Sequence, residues 1–172
     1  MLKASDVEGH AARARSGEEA ASAPGPVEFV QGSPADLEDV LTIERLSFAA
    51  PWSPQFFLQE LADRHSYLFL ARLPGELRPV GFICFWLLGP DVHILNIAIH
   101  PGFRRRGIGR GLLDFALEYG RARGARQALL EVRRSNDPAI ALYEHLGFRL
   151  TRVRRAYYMP EQEDALEMRL EF

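Results

Sequence analysis

Lysine is almost absent from this chain: of 21 basic residues 20 are arginine, and the single lysine, Lys3, lies near the N-terminus. A chain body without lysine holds no P-loop lysine on a triphosphate, no Schiff-base lysine and no serine–lysine dyad. Cysteine is equally scarce. Cys84 stands alone, which excludes intrachain disulfides, iron–sulfur clusters and multi-cysteine zinc sites. Its place in the run Phe82-Ile83-Cys84-Phe85-Trp86 reads as a packed thiol. The five histidines form no H-E-x-x-H, and no G-x-S-x-G occurs, so zinc-protease and serine-hydrolase signatures are missing and no metal is expected. The longest apolar run, Phe82 to Leu88, is far shorter than a membrane span. Met1-Leu2-Lys3 leads into polar residues rather than a signal-peptide core, so a cytoplasmic protein without a membrane partner is expected.

What is there is enough for one globular domain: 172 residues, 47% of them apolar. Residues 1–26 offer only Leu2 and Val7 as sizeable apolar side chains and read as a flexible tail, which leaves 27–172 as the folded domain. The net charge of −2 conceals an uneven distribution. Residues 100–155 carry 13 basic and 5 acidic side chains, whereas 1–99 carry 7 and 13. A basic segment inside an acidic protein points to a local anionic partner.

Periodicity and caps divide the domain. Val27 to Gln31 reads as a strand; Ser33-Pro34 opens a helix with Leu37, Val40, Leu41 and Ile43 on its apolar face; Ser53-Pro54 opens a second, ending near Asp63. Strands over 66–73, 80–88 and 92–99 form an antiparallel meander. A strong amphipathic helix over 107–123 then makes the following strand, 127–132, parallel to the last. Asn136 or Asp137 caps a fourth helix that Gly147 stops, and strands near 148–157 and 165–171 finish the chain.

The informative stretch is His100-Pro101-Gly102-Phe103-Arg104-Arg105-Arg106-Gly107-Ile108-Gly109-Arg110-Gly111. A helix start favours acids, yet four arginines crowd this one and no acid comes before Asp114. The arrangement repels itself unless a polyanion sits on the turn, with glycines letting backbone N–H groups approach phosphate oxygens. A solvated basic loop also fits the motif taken alone. The spacing G-x-G-x-G is not the dinucleotide fingerprint, and no interleaved aromatics form a stacking platform for RNA, so nucleic acid is an unfavoured partner.

A second segment runs Leu130-Glu131-Val132-Arg133-Arg134-Ser135-Asn136-Asp137-Pro138 and on through Tyr143 to Gly147-Phe148. Alternation turns Glu131 away from Leu130 and Val132, near the end of a central strand where a carboxylate is costly unless used or paired. A salt bridge to arginine is the plainer reading. Tyr143 falls on the apolar face of its helix, where a packed tyrosine with a satisfied hydroxyl is the plainer reading.

Taken in order, these motifs resemble the GCN5-related N-acetyltransferase (GNAT) superfamily, and within it the bacterial ribosomal-protein-alanine N-acetyltransferase (RimI) group. The superfamily likeness rests on Arg104, Gly107 and Gly109 after the strand holding Asn96 to Ile99, and on Asn136, Ala139, Tyr143 and Gly147-Phe148. The group likeness rests on Ile43-Glu44, Pro51-Trp52-Ser53, Leu95-Asn96-Ile97-Ala98, Leu130-Glu131-Val132-Arg133, and Arg154-Arg155-x-Tyr157-Tyr158 followed by Glu163-Asp164-Ala165. The resemblance covers about 27 to 172.

It implies an α/β (α+β) fold: a mixed central sheet of about seven strands, splayed between the fourth and fifth, with about four helices. It further implies acetyl-CoA as co-substrate, with the backbone of Ile97, Ala98 and Ile99 along the pantetheine arm. Residues Arg104, Arg105, Arg106, Gly107, Ile108, Gly109 and Arg110 would then hold the pyrophosphate, and Asn136 would touch the arm. By motif match Glu131 is the expected general base and Tyr143 the general acid; Trp52, Tyr157 and Tyr158 are expected at the peptide groove, though each equally fits core packing. The expected partner is a protein N-terminus, the alanine of a small-subunit ribosomal protein. Acetylation of a small amine or a protein lysine, or a non-catalytic acetyl-CoA-binding module, are the alternatives.

Overall fold

The computed structural model describes residues 26–172; the expected tail lies outside the described residues except for Pro26. Strand β1 (Glu28–Gln31) leads through a 3-10 turn (Pro34–Asp36) into α1 (Leu37–Ser47). There Ser33 and Asp36 bond each other's side chain and backbone in a capping box. Helix α2 (Pro54–Ala62) starts where Ser53 accepts a hydrogen bond from the Phe56 N–H. The meander β2 (Ser66–Arg72), β3 (Gly81–Leu88) and β4 (Asp91–Ile99) follows, then a 3-10 turn (Pro101–Phe103), α3 (Ile108–Arg121), β5 (Gln127–Arg133), α4 (Asp137–His145), β6 (Arg149–Tyr158) and β7 (Glu163–Glu171). Asn136 caps α4 with its side chain on the Ala139 N–H, and Gly147, at φ +97°, ends it as the sequence predicts.

All seven strands form one sheet in the order β1-β2-β3-β4-β5-β7-β6, with β4 and β5 its parallel pair. On one face α3 and α4 bury Phe69, Phe85, Leu112, Leu113, Leu130, Phe148 and Met168. Each such side chain is worth about 1.5–3 kcal/mol relative to exposure. On the other face α1 and α2 cover only the first four strands, over Leu68, Leu70, Phe82, Cys84 and Ala98. Glu60 ties α2 to this half by accepting hydrogen bonds from the Trp86 indole and the Ser66 hydroxyl, each 2.6 Å. The far half of that face carries charge instead. Glu131 and Glu167 stand directly opposite each other, a repulsive pairing relieved by Arg154 on Glu131 and by Arg152 opposite Glu167.

A bulge in β4 sets the facing of the functional residues. Cys84 pairs with Asn96 and Phe85 with Ile94, so Leu95 is an extra residue. Before it, Val92 and Ile94 point toward α3; after it, Ile97 and Ile99 do. Asn96 and Ala98 are thereby turned toward α1 and α2.

Candidate active site

The parallel pairing of β4 with β5 runs from Asp91–Gln127 to Ile94–Leu130 and stops. Beyond it β4 stays paired to β3 as far as Ile99, and β5 stays paired to β7 as far as Arg133. The two strands therefore part, and the β4 edge over Ile97, Ala98 and Ile99 is left without a strand neighbour. The expected splay is present. Glu131 is the first residue of β5 beyond the last pair.

Glu131 does not sit in a costly interior position, because among the described residues no helix covers its side of β5; its side chain is 33% exposed. Its partner is Arg154 of β6 at 2.5 Å. Arg133 and Arg134, adjacent in sequence, turn instead to Glu163 and Asp164. Tyr143 of α4 lies on the opposite side of the sheet, in the core under α3 and α4. It is 6% exposed and packs against Phe148, and burial, then the neighbouring Tyr158, pushes its phenol up to about 12. The phenol oxygen takes no hydrogen bond among the described residues, where no buried side-chain oxygen lacks a partner. The hydroxyl is thus accessible rather than satisfied within the core. Tyr158, itself pushed up to about 12 by burial and then by the charge of Glu131, is a neighbour of both.

A second carboxylate, on α1, is bonded to the β4 lip. Glu44 is 1% exposed and accepts hydrogen bonds from the Trp52 N–H at 2.8 Å and from Asn96 Nδ2 at 3.0 Å. Burial raises its pKa above the ordinary value, and these two donors oppose the shift. Glu44 and Asn96 are the buried polar side chains among the described residues. Sequence reasoning assigned neither a functional part. A signal existed: Glu44 falls seven residues after Leu37 and three after Leu41, on the apolar stripe of α1, where a charge is out of place.

The arginine turn is more self-contained than its composition suggests. Arg104 donates to the Ile99 carbonyl and the Ser47 hydroxyl, tying the end of β4 to the end of α1. Arg106 donates to the Gly102 carbonyl and lies over Phe103, and Arg110 pairs with Asp114. Arg105, with φ +64°, makes no side-chain hydrogen bond or ion pair among the described residues. Gly107 caps α3 at φ +78°, a conformation that strains any other residue. A Cβ at Gly109 would meet only Ile99, at an ordinary 3.6 Å, so space remains above the first N–H groups of α3. No acid lies in that turn. Open edge, free N–H groups and net positive charge fit a diphosphate with an extended arm.

The expected groove residues form two separate groups. Trp52 is half-buried against Phe56 and Phe57 of α2. Tyr157 and Tyr158 pack edge to face, with Arg154 and Arg133 over their rings at 4.2 Å. Glu163 ties this second group to the end of β5 and the turn before α4 by accepting from Ser135 N, Ser135 Oγ and Arg133. Those bonds, that of Ser135 foremost, pull its carboxyl down to about 2. Asn136 uses Oδ1 to cap α4. His93 and His100 do not pair; His100 accepts from the Gly102 N–H. Among the described residues no group of three or more possible metal ligands occurs and no helix is long and apolar enough to cross a membrane.

A parted strand pair beside a basic helix start without acids leaves room for an extended anionic ligand, and comparison with known proteins gives the class of protein. The acetyltransferase (GNAT) family profile matches residues 37–148, so the chain belongs to that family and is an N-acetyltransferase. It is 39% identical to the [ribosomal protein bS18]-alanine N-acetyltransferase of Salmonella typhimurium, over 80% of this chain and 93% of that one. It is 38% identical to the N-alpha-acetyltransferase RimI of Mycobacterium tuberculosis, over 78% and 86%. The crystal structure of the ribosomal-protein-S18-alanine N-acetyltransferase from Escherichia coli superposes with a TM-score of 0.79 at 32% identity, covering 85% of this chain and 94% of that one.

Proposed function

We propose that the chain acetylates the α-amine of a protein N-terminus, that of the ribosomal protein bS18 with its N-terminal alanine, using acetyl-CoA. The observation that carries this reading is that a partly exposed Glu131 carboxylate, first beyond the last β4–β5 pair, and an unpartnered Tyr143 hydroxyl both lie near Tyr158. The activities of relatives at 36–39% identity support it.

When bound, acetyl-CoA supplies an acetyl thioester open to attack by an amine. The backbone of Ile97, Ala98 and Ile99 would hold its arm by hydrogen bonds at the free β4 edge. The N–H groups from Gly107 to Arg110, with Arg105, would hold its diphosphate; the side chains of Arg104, Arg106 and Arg110 brace the turn. Asn136 would meet the arm at the start of α4.

The amine must lose a proton and the departing sulfur must be stabilised. Glu131 accepts the proton, directly or through one water. The demand is modest, because an α-amine has an ordinary pKa of about 7.7–8.0 against about 10.4 for lysine, a difference of about 3 kcal/mol in reaching the neutral form. Tyr143, raised to about 12, keeps its proton in the resting enzyme. It therefore acts by donating a hydrogen bond to the sulfur as negative charge develops there. Direct transfer needs no covalent enzyme intermediate. Trp52, Tyr157 and Tyr158 wall the groove that receives the first residues of the peptide, and the narrowness of aromatic walls favours a small first residue.

The test is mass spectrometry of a peptide with N-terminal alanine and an internal lysine, incubated with protein and acetyl-CoA beside the same peptide with its N-terminus blocked. Acetylation of the open peptide alone, mapped to the α-amine, is expected. Modification of the lysine in both peptides, or of neither peptide, overturns the reading.

A further inference from the structure

The Glu44–Asn96 pair lies at the junction but has no part in the mechanism above. Asn96 follows the bulge at Leu95 and is the first residue of β4 after the extra one, as Glu131 is the first of β5 beyond the last β4 pair. Both side chains turn to the α1 and α2 side of the sheet, one from each lip of the splay. Asn96 is 8% exposed. Its Nδ2 donates to Glu44 Oε2. Its Oδ1 takes no hydrogen bond among the described residues, yet no buried side-chain oxygen there lacks a partner, so that oxygen is accessible, on a residue that lies beyond the last β4–β5 pair.

The orientation of the amide follows from the carboxylate. Ionised Glu44 can only accept, and one of its oxygens already accepts from the Trp52 N–H, so the Asn96 NH2 must face it and the carbonyl oxygen must face away. Glu44 thus selects which end of the Asn96 amide the groove meets: an acceptor, not a donor. An incoming amine brings N–H donors, and Glu131 on the opposite lip can accept from only part of them.

We propose that Asn96 Oδ1 contacts the substrate α-amine by accepting a hydrogen bond, and that Glu44 is the positioning residue that holds this acceptor toward it. The inference rests on the proposed acetylation of protein N-termini and names a further contact in that same site. It predicts a preference for groups with N–H donors at the junction and assigns the burial of Glu44 a role beyond anchoring the α1–α2 loop.

Glu44→Gln separates the two roles. The introduced amide can still accept from the Trp52 N–H through its oxygen. Its NH2 then faces Asn96, whose own amide turns over to accept, so the tie between α1 and β4 survives while the groove meets a donor. A purely structural role predicts near-normal activity. The proposal instead predicts a fall of about tenfold or more in kcat/KM for the N-terminal alanine peptide, the scale of one hydrogen bond to a charged or reacting group. The melting temperature and the acetyl-CoA dissociation constant should stay near wild type. Glu44→Gln combined with Asn96→Asp restores an acceptor at the groove, because the carboxylate placed on β4 accepts from the amide placed on α1 with one oxygen and presents the other; kcat/KM should recover by most of that factor.

Wild type is assayed first. A wild type that leaves the peptide unmodified overturns the reading of function, and this contact with it. An active wild type accompanied by a Glu44→Gln enzyme within twofold of it overturns this contact alone. Equal impairment of the single and double variants does so too, as does a loss of acetyl-CoA affinity matching the loss of peptide turnover.

Discussion

Glu44 and Glu131 lie on the same side of the sheet, Glu44 on α1 bonded to the β4 lip through Asn96 and Glu131 on the β5 lip itself, and their surroundings differ in almost every respect. Glu44 is closed off at 1% exposure, bonded to neutral N–H groups of Trp52 and Asn96. Glu131 stands in solvent on a sheet face that no helix covers, paired with the guanidinium of Arg154. A buried carboxylate cannot readily relax or exchange protons with water, and its value is geometric. An exposed one held by a single exposed arginine gains little stability from the pair, yet it can meet a substrate, accept a proton and release it. The molecule thus has a stiff lip, where positions are set, and an open lip, where protons move.

Substitution of the open-lip carboxylate tests this division most severely. Glu131→Gln removes the proton acceptor while keeping shape, so kcat should fall by about 10²–10⁴, the usual contribution of a general base. Acetyl-CoA affinity should remain, as should the melting temperature. A kcat near wild type would transfer the proton-accepting role elsewhere. Tyr143→Phe comes next. The ring still packs against Phe148, and the hydroxyl it loses has no partner among the described residues, so thermal stability should be unchanged. The developing thiolate loses one hydrogen bond, and kcat should fall about tenfold. A destabilised variant with normal kcat would make Tyr143 a packing residue.

The open lip also depends on pH in a way the stiff lip does not. Glu163, the cross-strand neighbour of Tyr158, ties β7 to the end of β5 and the turn before α4, and its hydrogen bonds with Ser135 and Arg133 lower its pKa from 4.5 to about 2. A depressed folded pKa means that its stabilisation is complete above about pH 4.5 and is lost as pH falls through about 2. Melting temperature followed from pH 5 to 2.5 should therefore decline, and the decline should be shallower in Glu163→Gln. Parallel curves would remove Glu163 from that tether.

How far each lip could be read from the sequence follows the same division. Caps at Ser53 and Asn136, the stop at Gly147 and the alternation that turns Glu131 away from Leu130 are local signals, and all four appear as read. The extra residue at Leu95 is not local. Within Ile94-Leu95-Asn96-Ile97 an inserted apolar residue leaves no mark, yet it decides that Asn96 faces Glu44. The partner of Glu131 lies 23 residues away, brought near by β7 between the two strands, whereas adjacent Arg133 and Arg134 are drawn off by Glu163 and Asp164. Composition likewise overstated the charge free at the turn, since Arg104, Arg106 and Arg110 hold protein atoms.

The smallest effect is expected at Cys84, and it bears on whether the stiff lip is closed. Cys84 is the cross-strand neighbour of Asn96, fully buried, with Ser66 Oγ at 3.7 Å. Burial pushes its thiol up to about 12 despite that contact, with the charge of Glu60 adding to the shift. At neutral pH the thiolate population is then negligible, and the thiolate is the nucleophilic form. The native enzyme should resist alkylation by iodoacetamide over hours and keep full activity, whereas the unfolded chain should be labelled once. Cys84→Ala should lower stability by about 1 kcal/mol, from lost packing and the small cavity left behind, with kcat unchanged. Rapid alkylation of the folded protein accompanied by loss of activity would mean that the β4 lip opens to solvent, and the contrast between the two glutamates would then be one of degree only.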